Sequence, residues 1–276
     1  MQQVPDVGIV ALSAIGSCPK PDLVVSRLKQ RTLDRVRNDV KRWCGDAPVV
    51  VYDQDPWYAL NDDSPGKGAY DRIRETLNVK TFAITTQVWV DLMQKQGLPA
   101  TFVKMGMLPE YCDSRPKWDE RAISLGFIGS LHPRRRELFD KLDDMGIMVN
   151  VQFGGLPYPE YLRSLSNIQV FIHSEDSKVT ACGQEMNYAD ALWIKDIEAV
   201  ARGCFTIRNS GSGSGGYYGG LKAALTYNDP SEIPTLLAQI HGMDPIERQK
   251  LLDADVELLK QTNVWMETAR VLTRST

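Results

Sequence analysis

The sequence has no cysteine pair at the spacing of a zinc site or a disulfide framework. Its five cysteines, Cys18, Cys44, Cys112, Cys182 and Cys204, are scattered without a CxxC. This excludes a small disulfide-stapled scaffold and fits reduced thiols in a cytoplasmic setting. Histidine is as sparse: His132, His173 and His241 lie far apart, so a histidine-built metal site is not expected. No apolar run is long enough for a bilayer-spanning helix, and no membrane partner is expected. The opening "MQQVPDVGIVALSAIG" lacks a basic segment ahead of its apolar stretch, so it does not read as a secretory signal. A large charge excess is missing too. The net charge of -3 argues against a protein coated in positive charge but leaves room for a local basic face.

What is present is 276 residues, 43% apolar and 24% charged, which suits two α/β lobes of ordinary size. Short β-rich runs alternate with amphipathic stretches. "DVGIVAL", "APVVVYD", "KTFAIT" and "ATFVKM" read as buried strands, with helix expected over 22–43 and 66–77. The polar, proline-containing "LPEYCDSRPKWDERA" reads as a linker; the rhythm then resumes with "SLGFIGS", "IMVNVQFGG", "IQVFIHS", "CFTIRNS" and "AALTYND". The pattern predicts two Rossmann-like parallel-sheet lobes facing a cleft, residues 1–116 and 117–276, the second ending in a charged helix pair over 245–272. The glycine-rich "GSGSGGYYGG" at 211–220 matches neither GxGxxG nor GxxxxGK[ST], and reads as a mobile loop beside a site rather than a phosphate cradle.

Two segments of the second lobe carry chemistry. "LGFIGSLHPRRREL" is a strand, a Gly129-Ser130 turn and the start of a helix, a geometry whose free N–H groups suit an anion. Arg134, Arg135 and Arg136 fall in that helix's first turn, where cations oppose the macrodipole; a bound diphosphate would account for them, and a solvated arginine cluster is the bland alternative. Downstream, "WIKDIEAVARGCFTIRN" sets Lys195 and Glu198 at the start of a helix that ends at Gly203 and feeds a strand. Alone this is a surface pair of small worth. At the carboxyl end of a parallel sheet, however, a carboxylate can accept both hydroxyls of a ribose while a nearby lysine neutralises phosphate.

These motifs resemble the C-terminal lobe of GT-B glycosyltransferases, especially the CgeB-like group, and phage DNA β-glucosyltransferases: "GSLHPRRREL" before a helix, "KDIEAVARG" later, and "KPDLVV" followed by "VVVYDQDPW" in the first lobe. The resemblance implies a nucleotide-diphosphate sugar as donor, a UDP-sugar first among them. Arg136 and His132 would be diphosphate contacts, Lys195 another and Glu198 the ribose carboxylate. It implies an inverting transfer. It also implies a first lobe shortened at its N-terminus, since the family's opening strand, glycine-rich turn, helix and second strand have no counterpart ahead of "DVGIVAL". No metal-ligand cluster is visible, leaving a Mg²⁺ held loosely on the diphosphate as an open alternative.

In the first lobe Asp53 and Asp55 follow the strand "VVVYD", where a carboxylate could take the proton of an attacking hydroxyl or merely order an Asp-Pro turn. The resembling phage enzymes place their catalytic aspartate after this strand; the spacing does not choose between the two. Trp57 and Tyr58 could stack on a sugar or base, or be core. Residues 26–43, "SRLKQRTLDRVRNDVKRW", hold seven cations against two acids. As a helix this is a basic face, a solvated surface or, through Arg31, Arg35 and Lys41, a seat for double-stranded DNA. The expected activity is hexosyl transfer to a hydroxyl, with a 5-hydroxymethylpyrimidine in DNA as the favoured acceptor. The rivals are a polysaccharide, small-molecule or protein acceptor, and a non-catalytic sugar-nucleotide-binding protein.

Overall fold

The computed structural model describes residues 10–103, 107–174, 178–187, 194–210 and 221–261. They form two compact units, one running up to Val103 and including Thr180–Gln184, the other holding the remaining described residues. No described helix is long and apolar enough to cross a membrane.

The first unit is a four-stranded parallel sheet in the order β1-β2-β3-β4. Its elements are β1 (Val24–Ser26), α1 (Gln30–Cys44), β2 (Val49–Asp53), α2 (Trp57–Leu60), α3 (Ala69–Thr76), β3 (Val79–Ile84), α4 (Gln87–Lys95) and β4 (Ala100–Phe102). Every residue of β2 is buried, which is why it reads as an unbroken Val-Val-Val run rather than an alternating one. α1 turns Leu33, Val40 and Cys44 inward and stops at Gly45, whose φ of +59° closes the helix. Two expectations need correction. Helix does not fill 22–43: the β-branched pair Val24-Val25 forms β1 against β2, and the helix starts only at Gln30. Of "DVGIVAL", residues 6–9 lie outside the described residues; Val10 and Ala11 are not strand, and Leu12 opens a 3-10 helix through Ser17, closed by Ala14 N–H donating to Ala11 O.

The second unit is a five-stranded parallel sheet in the order β11-β10-β7-β5-β6. Its elements are β5 (Ile123–Ile128), α5 (Pro133–Asp144), β6 (Asn150–Gln152), α6 (Tyr158–Ser166), β7 (Ile168–His173), α7 (Ile194–Ala201), β10 (Phe205–Asn209), β11 (Ala224–Tyr227), α8 (Ile233–Gly242) and α9 (Pro245–Gln261). The chain reverses its winding between β5 and β7, a topological switch point. Of the helix pair expected over 245–272, α9 is described, and 262–272 lies outside the described residues.

"LPEYCDSRPKWDERA" is not a solvated linker. Cys112 and Trp118 are core residues of the second unit. Two buried arginines gather the segment's carbonyls: Arg202 donates to Tyr111, Asp113 and Ser114, and Arg121 to Pro116, Ile168 and Arg202. A buried guanidinium needs many acceptors, and exposed backbone supplies them.

The hairpin of β8 (Lys178–Ala181) and β9 (Gln184–Asn187) was not expected. Its turn, Cys182-Gly183, has φ of +51° and +76°, the signs a two-residue type I′ hairpin requires. The tip belongs to the first unit, where Asp62 N–H donates to Thr180 O and the Asp62 carboxylate accepts from Gly183 N–H.

Asp53 closes β2 and is 6% exposed. It accepts from Asp55 N–H at 2.9 Å and from the Tyr70 hydroxyl at 2.8 Å. Burial pushes its pKa up to about 6. The raised value means that the folded state holds a proton that the unfolded chain has already lost. Stability from this group is therefore present below pH 4 and falls as pH rises through 6. Asp53→Asn should gain on the wild type by roughly 2–3 kcal/mol between pH 4 and pH 7. Urea unfolding at the two pH values checks this; parallel curves would contradict it.

Candidate functional site

The carboxyl ends of β5 and β7 flank the switch point. Phe127, fully buried in β5, makes the floor. Above its ring stand two cations, Arg135 at 5.1 Å and Lys195 at 5.5 Å from the centroid. Arg135 spans the strand ends, donating to Ser130 O at 2.7 Å and Ser174 O at 3.1 Å. Lys195 donates to Ile128 O at 3.3 Å. Burial and the nearby Arg135 charge both push the Lys195 pKa down. Two like charges held close in a partly desolvated place are relieved by an anion between them.

Gly129 makes this approach possible. Its φ is +152°, and a Cβ there would meet Lys195 Nζ at 2.7 Å and Phe127 Cζ at 3.0 Å. Its N–H donates to Gln152 O at 3.0 Å, which ties the turn to the end of β6.

α7 carries the rest. Asp196 is buried and accepts from His173 Nδ1 at 2.9 Å and Arg208 at 2.5 Å. Burial works against its ionisation, but His173 and Arg208 outweigh it and hold the carboxyl below its ordinary value. Burial lowers the His173 pKa, so the ring is neutral and the proton it gives Asp196 sits on Nδ1. Two residues on, Glu198 is 5% exposed and accepts from Tyr158 and Tyr161 hydroxyls, each at 2.9 Å. Burial raises the Glu198 pKa, while the two tyrosines and Lys195 act against the rise.

Of the residues singled out in the sequence, Gly129, Arg135, Lys195 and Glu198 line this part of the second unit. Arg134 and Arg136 are exposed on the first turn of α5, Ser130 is exposed, and His132 is exposed at the helix N-cap. Residues 211–220 lie outside the described residues. In the first unit Asp53 is enclosed as above, Asp55 is half-buried, and half-buried Trp57 meets Tyr58 edge-on at 6.0 Å. Arg31 and Arg35 are exposed on α1. Much of the remaining charge of α1 is paired: Lys41 with Asp46 at 2.7 Å, Arg37 with Asp34 at 2.9 Å, and Arg42 with Asp39. Sequence reasoning missed Phe127, Tyr158, Tyr161, His173, Asp196 and Arg208. A signal existed for the tyrosines, which share a helical stripe with Leu162 and Leu165. Among the described residues no group of three or more His, Cys, Asp or Glu could hold a metal ion.

No protein-family model matches the sequence, and no curated protein matches it. Solved structures do match. An α-glucosyltransferase in complex with UDP and a 13-mer DNA containing a central A:G mismatch aligns with a TM-score of 0.63 at 10% identity, covering 95% of this chain and 82% of that one. Anabaena Alr3699/HepE in complex with UDP aligns with a TM-score of 0.57 at 10% identity, over 95% of this chain and 79% of that one. The UDP-forming α,α-trehalose-phosphate synthase of Burkholderia vietnamiensis gives 0.55 at 12% identity, over 91% and 78%. At such identities the likeness shows the fold. The chain has the GT-B fold of these glycosyltransferases, with two parallel-sheet lobes.

Gly129→Ala should push Lys195 aside and weaken binding of inorganic pyrophosphate, used as an anion probe, by about 10-fold, the scale of one hydrogen bond to a charged group. Arg135→Ala should cost more pyrophosphate affinity than Arg136→Ala. Calorimetry on the three variants checks both statements; equal losses at Arg135 and Arg136 would count against the inward arginine.

Proposed function

We propose that the protein is a glycosyltransferase that moves a sugar from a nucleotide-diphosphate donor to an acceptor hydroxyl. The observation that carries this is the pairing of Arg135 and Lys195 over Phe127 at a glycine turn, with Glu198 on the same helix as the lysine. In this reading the two cations and the Gly129-Ser130 turn hold the diphosphate and stabilise its charge as it departs, which is where most of the catalysis arises. Glu198 takes the ribose. The solved structures of the same fold that contain UDP or UDP-glucose support a UDP-sugar as the donor.

The first unit would activate the acceptor. Both oxygens of Asp53 already accept hydrogen bonds, from Asp55 N–H and from the Tyr70 hydroxyl, and Asp53 is buried while Asp55 is half-buried, so Asp55 is the better base. A base beside the attacking oxygen serves an inverting displacement. Asp55→Asn should lower turnover about 10²–10⁴-fold with UDP affinity kept. Single-turnover transfer assays test this, and near-normal turnover would remove Asp55 from the mechanism.

The favoured acceptor is a 5-hydroxymethylpyrimidine in DNA. The exposed Arg27, Lys29, Arg31 and Arg35 at and before the start of α1 would meet phosphates. Solved α-glucosyltransferases of this fold bind DNA, one of them with an HMU base. A second reading, transfer to a sugar phosphate or polymer, is favoured by the trehalose-phosphate and sucrose-phosphate synthases among the similar structures and by the ion pairs along α1. A third, a sugar-nucleotide-binding protein without turnover, is separated from both by donor hydrolysis. For DNA, Arg31→Glu with Arg35→Glu should abolish transfer while sparing donor hydrolysis. Lys41→Glu should do less, because Asp46 already neutralises that lysine. Transfer to hydroxymethylated DNA at low salt, beside phosphorylated sugars as acceptors, decides between the readings.

A further inference from the structure

Glu198 is the side chain that the proposed reading gives to the ribose, yet both of its oxygens already accept hydrogen bonds, Oε1 from Tyr158 and Oε2 from Tyr161. The two tyrosines differ in setting. Tyr161 is partly buried and packs against the second unit's core. Tyr158 is 41% exposed, with Tyr111 edge-on at 5.6 Å and Tyr161 roughly parallel at 6.1 Å. One hydroxyl therefore belongs to a side chain packed in the core and the other to a side chain that is partly exposed, its oxygen also 3.8 Å from Met107 Sδ.

Tyr158 also stands on a segment built to move. It is the first residue of α6 and follows Phe153-Gly154-Gly155-Leu156-Pro157. Gly155 has φ of +99°, open to glycine, and Phe153 is 68% exposed, so little burial holds this loop in place. Its other end runs beside the diphosphate turn: a Cβ on Gly154 would lie 3.6 Å from Gly129 Cα. The loop thus links the Gly129 turn to the Glu198 carboxylate.

We propose that the Tyr158 hydroxyl is a placeholder for a ribose hydroxyl, resting on Glu198 Oε1 until a nucleotide replaces it, while Tyr161 stays and orients the carboxylate. The inference rests on the nucleotide-binding reading above. A buried carboxylate left without donors is costly, so a side-chain hydroxyl fills the position until a ligand hydroxyl takes it. The exchange makes Tyr158 a specificity-determining residue. A nucleotide with ribose hydroxyls restores the bond it breaks, and one without them cannot.

Calorimetry with UDP and 2′,3′-dideoxyuridine diphosphate, on wild type, Tyr158→Phe and Tyr161→Phe, tests this. Both variants keep the ring and hence the packing. Removing the competitor should tighten UDP binding by about 3–10-fold, the fraction of sites freed from the closed state. Tyr158→Phe should leave the dideoxy nucleotide unchanged, and Tyr161→Phe should weaken UDP. Unchanged or weaker UDP binding by Tyr158→Phe, or an equal gain for the dideoxy nucleotide, overturns the placeholder and leaves the nucleotide site standing. A wild-type protein that binds neither UDP, ADP nor GDP overturns both.

Discussion

The buried carboxylate of Asp196 is the interaction on which the second unit's site depends. His173 and Arg208 are partners in register on neighbouring strands, so their side chains leave the sheet on one face, and both meet Asp196 there. The first turn of α7 is thereby pinned to the ends of β7 and β10. Lys195 precedes this anchor and Glu198 follows it by two residues, so the ion pair fixes where the cation and the second carboxylate stand. Removing one partner of such a pair typically costs 3–5 kcal/mol, because the other charge stays buried and uncompensated. In the proposed reading, donor binding and stability are coupled through this one side chain.

Buried charge is met in more than one way. Asp53 and Asp196 are each satisfied by protein donors, and their work is structural: one closes β2 over α3, the other docks α7. Arg121 and Arg202 donate to backbone carbonyls and fasten the segment before β5. Arg135 and Lys195 also donate to carbonyls, but they lie over one aromatic ring, and the lysine pKa is pushed down by burial and by its neighbour. A site in which like charges are gathered at a cost to the protein alone is prepared for a ligand of opposite sign.

Much of this was legible in the sequence. Apart from β1, which fell inside an expected helix, the strands of both sheets announced themselves because two-sided burial demands continuous Val, Ile and Phe, as in "VVVYD" and "IQVFIH". Gly129, Lys195 and Glu198 were legible because their residue types fit the end of a parallel strand and the start of a helix. The arginine most deeply placed was not distinguished from its neighbours, although the phase of α5 held the answer: Arg135, Leu138 and Leu142 share one stripe and are its buried residues. The hairpin escaped because Cys182 is a poor advertisement for a left-handed turn, and the packed segment at 108–122 because Arg202, which gathers three of its carbonyls, is distant in sequence. The stripe of Tyr158, Tyr161, Leu162 and Leu165 marked an inward face of α6, but nothing local marked Glu198 as its partner.

The claim that matters most is that one face of the second unit holds the donor. A crystal structure of the protein soaked with UDP-glucose tests it most directly. The account predicts diphosphate oxygens within hydrogen-bonding distance of Arg135, Lys195 and the Gly129-Ser130 turn, with a ribose hydroxyl on Glu198. A nucleotide bound elsewhere, with Lys195 still resting on Ile128 O and both tyrosines still on Glu198, would contradict it.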